Sequence, residues 1–359
     1  MALIWCAISG HGFGHAAQVI PVLNELARDV PGLKVILRTT VPEKFFASWL
    51  KVPWEINPVN QDIGCVQKGP LRIDVQATWE AYARFHEGWE QRVAAEARAI
   101  ASRAPKLVLS NISYLAIEAG ARAGLPTVAL ASLSWDEILR PLMAQENQDH
   151  LSVVRHIQGS YRFADLLIRL TPGLPMEAFH HRIGVGPICL PLTVCPSAWR
   201  AQIDGHPDAP IVLVALGGVP LDFLPYDRIA QVSGYRFLLD LPIPDGFRGL
   251  RSTSSLPMGF ESIPAIADIV VSKPGYATVV ETVMARKPLV YVRRYNFAEE
   301  ALLVEFSHRF GRSVELSKED FFAGAWKEAL DEVWARPFPE ACPPESGIRH
   351  AAELIAKYL

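Results

Sequence analysis

Cysteine is scarce in this sequence and follows no pattern. Five cysteines, an odd number with no C-x-x-C spacing, argue against a disulfide framework or a zinc knuckle. A reduced, cytosolic setting fits better. Charge of one sign is lacking as well: the formal net charge of −3 gives no reason to expect nucleic acid or an anionic membrane surface as a partner. No window reaches the ~18 uninterrupted apolar residues that a spanning helix requires, which leaves only peripheral membrane contact open. The N-terminal MALIWCAISG has no basic segment ahead of its apolar run and no small-residue cleavage site, so it reads as a first strand and not as a signal peptide. There is no internal repeat and no low-complexity tract.

What is present is ordinary for a soluble enzyme: 359 residues, 50% hydrophobic and 20% charged. That length suits two domains of roughly 150–200 residues each. Short runs rich in Val, Ile and Leu recur at 2–8, 33–37, 107–109, 127–131, 211–216, 236–241, 269–271 and 289–292. Continuous apolar runs indicate strands covered on both faces, and their alternation with helical stretches predicts parallel sheets. TWEAYARFHEGWEQRVAAEARAIASRA reads as a long helix. SYLAIEAGARAG reads as a helix stopped by its last glycine before the strand that follows. Residues 187–210 carry five prolines and have a linker composition. The expected organisation is a domain over 1–190, a linker over 191–210, a second domain over 211–345, and a last helix over 346–359 that could fold back.

The stretch ISGHGFGHAAQVIPVLNEL sets Gly10, His11, Gly12, Gly14 and His15 between a strand and a helix. A dinucleotide site would need G-x-G-x-x-G and an acid after the second strand. Here the spacing is G-x-G-x-G, and Arg38 stands where the acid would be. A metal pair of His11 and His15 would need both on one helix, and no Glu lies between them. Three glycines are costly unless the backbone takes positive φ or approaches something closely. A bare helix N-terminus also suits an anion or hydroxyl. A histidine near the carboxyl ends of the strands is placed for acid–base work, which favours a functional His15; for His11, loop closure and function weigh equally.

A second constellation is SKPGYATVVETVMARKPLVYVRRYNFAEEALLVEF. Gly275 falls at a strand-to-helix turn, Thr278 in the first helical turn, and Glu281 one turn in. Such a carboxylate can accept both hydroxyls of a ribose while Thr278 and the helix N-terminus face phosphate. A solvated helix face, or a first-turn acid complementing the helix dipole, would give the same pattern. Upstream, VALGGVPLDF adds a second glycine turn, Gly217 and Gly218, and the two turns together suggest a nucleotide-diphosphate site.

Four blocks in order, GHGFGHAAQVIPVLNEL, SWDEI, LIRLTPGLPMEAF and SKPGYATVVETVMARKPLVYVRRYNFAEEALL, resemble the glycosyltransferase-like N-terminal domain of the L-arabinokinase family and its stand-alone bacterial relatives. More distantly the chain is similar to the peptidoglycan N-acetylglucosaminyltransferase and the plant UDP-glycosyltransferases. The resemblance implies an α/β chain of GT-B type, two Rossmann-like doubly wound parallel-sheet domains facing a cleft. Kinase activity is not implied, since no kinase-like half follows.

By the same resemblance Glu281 holds the donor ribose, Glu299 and Glu300 match the paired residues that contact the donor sugar, and Gly217 and Gly218 lie near the diphosphate. The segment 258–260, with Phe260, matches loosely the one whose backbone meets the base. His15 matches the histidine that deprotonates the acceptor hydroxyl. Its usual aspartate partner is replaced: LVLSNISY carries Asn111, which can hold the ring but cannot stabilise imidazolium as a carboxylate would. Gln18 stands where bacterial relatives often show Arg. Asp136, in SLSWDEI, either supplies the missing acid or caps the helix that follows. His180 and His181 read as loop or core histidines, and Phe45, Phe46, Trp49 and Trp54 as core residues at helical spacing.

The reading that follows is inverting transfer of a sugar from a nucleotide-sugar co-substrate, of UDP type, to a hydroxyl acceptor, with no cofactor. The lack of a D-x-D motif removes the expectation of the Mn²⁺ site found in the other transferase fold. Two rivals stand beside it: a non-catalytic nucleotide-sugar-binding module that partners a sugar kinase, and a nucleotide-sugar epimerase of the same fold.

Overall fold

The computed structural model describes residues 2–144, 147–191, 200, 203, 206, 208–217, 223–244, 246–247, 249–256 and 263–359. Two parallel sheets organise it. The first uses β1 (Leu3–Ile8), β2 (Lys34–Arg38), β3 (Trp54–Asn57), β4 (Leu107–Asn111), β5 (Thr127–Ala131), β6 (Leu166–Arg169) and β7 (Arg182–Gly184), in the order β3-β2-β1-β4-β5-β6-β7. The second uses β8 (Ile211–Val214), β9 (Arg236–Leu239), β10 (Leu250–Ser252), β11 (Ile269–Ser272), β12 (Leu289–Tyr291) and β13 (Ser313–Glu315), in the order β10-β9-β8-β11-β12-β13. The central strands are buried along their whole length. That burial explains why their sequences are continuous Val/Ile/Leu runs.

Helices α1 (Gly14–Asp29), α2 (Glu43–Trp49), α3 (Val75–His86), α4 (Trp89–Arg103), α5 (Tyr114–Arg122), α6 (Trp135–Leu139) and α7 (Gln148–Tyr161) accompany the first sheet. With the second sheet go α8 (Tyr226–Ala230), α9 (Ile263–Ile266), α10 (Tyr276–Met284), α11 (Glu300–Phe310), α12 (Lys318–Ala323) and α13 (Lys327–Ala335). The long helix expected across residues 78–104 is two helices: Gly88 takes a left-handed φ of 65° between α3 and α4, a conformation glycine adopts without strain. Trp54, expected on a helix, opens β3. Phe46 is fully buried, and Phe45, Trp49 and Trp54 pack against the same core.

The final helix, α14 (Ile348–Ala356), lies against α1 of the first domain and buries Ala351, Ala352, Leu354 and Ile355. Each of its two larger side chains adds about 1.5–3 kcal/mol by burial. Arg349 adds ion pairs to Asp29 at 2.8 Å and Glu25 at 3.4 Å. The returning chain crosses the end of the first domain closely: Gly347 N–H donates to Pro187 O at 2.9 Å, and a Cβ on Gly186 would lie 1.9 Å from Glu345 O. Much of the expected linker, 191–210, lies outside the described residues. No helix among the described residues is long and apolar enough to cross a membrane.

Candidate functional site

In each sheet the strand order reverses once, between β1 and β4 and between β8 and β11. Loops leaving such neighbouring strands diverge to opposite faces and open a crevice. In the first sheet Ile8 pairs with Asn111, so the glycine loop after β1 and the residue that closes β4 meet there. The loop needs its glycines: Gly12 has φ 85°, and a Cβ on Gly10 would sit 2.0 Å from Thr40 Oγ1. α1 begins at Gly14 and brings His15 into its first turn.

His15 Nδ1 lies 2.7 Å from Asn111 Oδ1. The amide of Asn111 has one orientation, because its Nδ2 donates to Leu130 O at 2.6 Å and to Gln18 Oε1 at 2.8 Å. A main-chain oxygen only accepts, so Oδ1 faces the histidine. Nδ1 therefore carries the proton, and the Nε2 lone pair is left without a partner among the described residues. Burial pushes the imidazole pKa down to about 4, against the raising effect of Asn111. The ring is neutral at pH 7, the state a general base requires.

His11 has a different task. Its Nδ1 accepts from Cys65 N–H at 3.4 Å, its Nε2 lies 3.2 Å from the Gln67 amide nitrogen, and Gln67 Oε1 is buried without a partner. Exchanging O and N of that amide lets an Nε2–H tautomer of His11 donate to the Gln67 oxygen. Burial and the neighbouring His15 hold the pKa of His11 down to about 3. A Cβ at Gly64, where φ is 66°, would lie 2.5 Å from the ring. His11 fastens residues 64–67 beneath the glycine loop.

Asp136 makes no hydrogen bond to His15, whose ring is held by Asn111. Asp136 lies in the first turn of α6 and accepts from Gln158 of α7 at 3.1 Å, while the N-cap position belongs to Ser134. Its neighbour Trp135 faces the histidines instead, with ring centroids 5.4 Å from His11 and 5.7 Å from His15. Trp135 Nε1 donates to Asp62 Oδ2 at 2.9 Å, and Ser9 Oγ donates to Asp62 Oδ1 at 2.8 Å. Asp62, which the sequence did not single out, is a buried acid that joins the loop after β1 to Trp135. Burial raises its pKa to about 6, against the two hydrogen bonds it accepts. Arg38 pairs with buried Glu96 at 2.5 Å and covers Trp5. His180 and His181 are exposed ahead of β7.

At the second switch point Gly217 takes φ 76°, and a Cβ there would lie 3.4 Å from Lys273 Cε. Lys273, which the sequence pattern does not single out, follows β11 and directly precedes Pro274 and Gly275. Burial and nearby Arg294 lower its pKa to about 8, so it stays largely cationic at pH 7. Gly275 is the N-cap of α10, and no acid occupies the first turn. Thr278 is half-buried in that turn. Glu281 is half-buried without a hydrogen-bond partner among the described residues, and burial raises its pKa to about 7. Gly218 and the segment 258–260, with Phe260, lie outside the described residues.

The two carboxylates before and at the start of α11 part company. Glu300 Oε1 accepts from Arg294 Nε at 2.6 Å, and its Oε2 accepts from the N–H groups of Arg294 and Tyr295 at 3.0 and 3.1 Å. It braces the turn 294–300 and is fully buried. Glu299 turns to the first domain, where Ser132 Oγ donates to its Oε1 at 2.6 Å. Burial raises its pKa to about 7. The two domains also meet where a Cβ on Gly14, at the start of α1, would lie 4.0 Å from Ala277 Cβ in α10. Tyr276 Oη donates to Thr171 O at 3.2 Å and accepts from Ile188 N–H at 3.1 Å. Two helix N-termini, one with a neutral histidine and one with a lysine, thus face each other. Among the described residues no group of three His, Cys, Asp or Glu side chains could hold a metal ion.

The same two-sheet course recurs in solved structures. CalG4, the calicheamicin glycosyltransferase, superposes with a TM-score of 0.61 over 99% of this chain and 94% of that one, at 17% identity. A UDP-glucosyltransferase from Polygonum tinctorium gives 0.62 over 99% and 98%, at 13% identity. The chain has the GT-B glycosyltransferase fold. In sequence this GT-B chain is 30% identical over 334 residues to L-arabinokinase of Arabidopsis thaliana, 91% of the chain but 31% of that protein. It spans about a third of the length of that curated relative. No protein-family model matches it.

Proposed function

We propose that the protein transfers a sugar from a nucleotide-sugar donor, of UDP type, held on the second domain to a hydroxyl acceptor on the first. The observation that carries this reading is the Nδ1–H tautomer of His15, which leaves Nε2 without a partner among the described residues, in a helix whose first residue meets α10 at Ala277. The acceptor hydroxyl gives its proton to Nε2 as its oxygen attacks the anomeric carbon. The bond from that carbon to the diphosphate oxygen breaks, and the electron pair leaves with the diphosphate. One displacement inverts the configuration. Negative charge growing on the leaving group falls on Lys273 and the α10 N-terminus, so the reaction as proposed needs no metal. Glu281 holds the ribose hydroxyls, Thr278 faces phosphate, and Glu299 accepts from the donor sugar.

Support comes from the fold, from the resemblance over most of the chain, and from a neighbour, Phytolacca americana UGT2, solved with UDP-2fluoro-glucose and pterostilbene (TM-score 0.60, 14% identity). The test is single-turnover transfer from UDP-sugars with His15→Ala. With a general base lost, kcat falls by about 10²–10⁴ while donor affinity is kept; an unchanged kcat removes His15 from the role.

A second reading keeps the donor site and drops the chemistry: a nucleotide-sugar-binding module that works beside a sugar kinase. Asn111 favours it, because a neutral amide gives the imidazolium no counter-charge. Donor binding without transfer or hydrolysis would select it.

A further inference from the structure

Hydrogen bonds run without a break from His15 to Glu299, through Asn111, Gln18 and Ser132, and every member is at least nine-tenths buried. Their direction is set at both ends. At one end Leu130 O obliges Asn111 to point Nδ2 toward it and toward Gln18 Oε1. At the other, the Ser132 hydroxyl donates to Glu299 Oε1 when that carboxyl is ionised, as it is above pH 7. The Ser132 oxygen then takes the Gln18 Nε2 hydrogen at 3.1 Å. Turning Gln18 over would set its NH₂ against the NH₂ of Asn111. Ser132 belongs to the first domain and Glu299 to the second, so the chain is complete only while the two are docked.

We propose that Ser132 and Gln18 are positioning residues that make the alignment of His15 conditional on the docking of Glu299. When Glu299 withdraws, the Ser132 hydroxyl loses its acceptor and turns toward Gln18. The hold of Gln18 on Asn111 then loosens, leaving Leu130 O as the one anchor of the amide beside His15. The base is held in register when the cleft is closed, a coupling of assembly to closure. Buried polar networks of this kind are cooperative, so losing one member weakens the others. The inference rests on His15 as the base, but its test needs no substrate.

The experiment is ¹⁵N NMR of the histidine rings in the full chain, for wild type, Ser132→Ala, Ser132→Thr, Glu299→Ala and the double Ala variant. Wild-type His15 is expected as a single Nδ1–H tautomer. Ser132→Ala and Glu299→Ala should each move its two ring-nitrogen shifts toward one another, Ser132→Thr should return them, and the double variant should go no further than either single one. Where Ser132→Ala does not fold, Glu299→Ala carries the same test. An unchanged His15 spectrum in the folded single variants overturns the proposal, as do shifts that simply add in the double variant. If the spectra behave as expected and no sugar is ever transferred, the coupling stands and the transferase reading fails. In a working transfer assay Ser132→Ala should lower kcat on the order of 10-fold at nearly constant donor KM, and Ser132→Thr should recover it.

Discussion

His15 Nδ1 and Asn111 Oδ1 lie 2.7 Å apart, and the asparagine is there because an acid would not fit the rest of its surroundings. Its nitrogen sits 2.6 Å from the main-chain oxygen of Leu130, where a carboxylate would set oxygen against oxygen. The replacement of the usual acid is thus built into β4 and β5 and is not a local defect.

Asn111→Asp should therefore weaken the protein instead of restoring a dyad. Losing the donor to Leu130 O and Gln18 costs about 1–3 kcal/mol at pH 8, by the desolvation of unmatched acceptors. Protonation supplies one donor again, so the folded acid has a raised pKa and the deficit shrinks as the pH falls. Urea melts of both proteins at pH 8 and pH 5 check this; a more stable variant at pH 8 would contradict it.

Glu281 has the opposite relation to stability and function. Its pKa is raised by burial to about 7, so its stabilising contribution is full below the unfolded value near 4.3 and is lost as pH rises through 7. Glu281→Gln should stabilise the ligand-free protein by about 1–3 kcal/mol at pH 8 and by nothing near pH 4. The same variant should lose nucleotide affinity. Thermal melts across that range, with and without UDP, read both effects.

Lys273 predicts a charge-dependent affinity. Replacing it by Gln should weaken UDP binding about 10–100-fold, the size of one charge-assisted hydrogen bond, with uridine affinity unchanged. In the wild type, affinity for UDP should decline as pH rises through about 8, where Lys273 loses its proton. Titration calorimetry with UDP and uridine separates the two contributions.

The adjacent glutamates give a paired test. Glu300→Ala strands the buried Arg294 guanidinium and should cost about 3–5 kcal/mol. Glu299→Ala should change which donor sugars bind, at a smaller cost in stability. Equal losses of stability, with no change in sugar preference, would return both residues to a structural role.

Much of the architecture is legible in the sequence because the inner strands are buried on both faces, and their apolar runs mark β1, β2, β4, β5, β8, β9, β11 and β12. The strands it does not reveal, β3, β6, β7, β10 and β13, lie at or next to sheet edges. Four of them have exposed or half-buried positions along most or part of their length, so burial imposes no uniform pattern on them. In the candidate site, glycine turns draw attention to His15, Gly275 and Glu281, since glycine suits a backbone that takes positive φ or approaches something closely. Asp62 comes from a loop without periodicity and left none. In SWDEI the acid drew attention, whereas its neighbour Trp135 meets the histidines: a five-residue helix does not say which side faces the crevice. Glu299 and Glu300 look alike in sequence and are told apart only by where Arg294 and Ser132 reach them.

The nucleotide-sugar site proposed on the second domain is tested most directly by the thermal midpoint of wild type and Glu281→Ala with UDP, dTDP, GDP, ADP and their sugars. A ligand at about 100 times its Kd adds ~2.7 kcal/mol to stability and raises the midpoint by several degrees. UDP or a UDP-sugar should stabilise the wild type and not Glu281→Ala. No shift with any nucleotide, or equal shifts in both proteins, would contradict it.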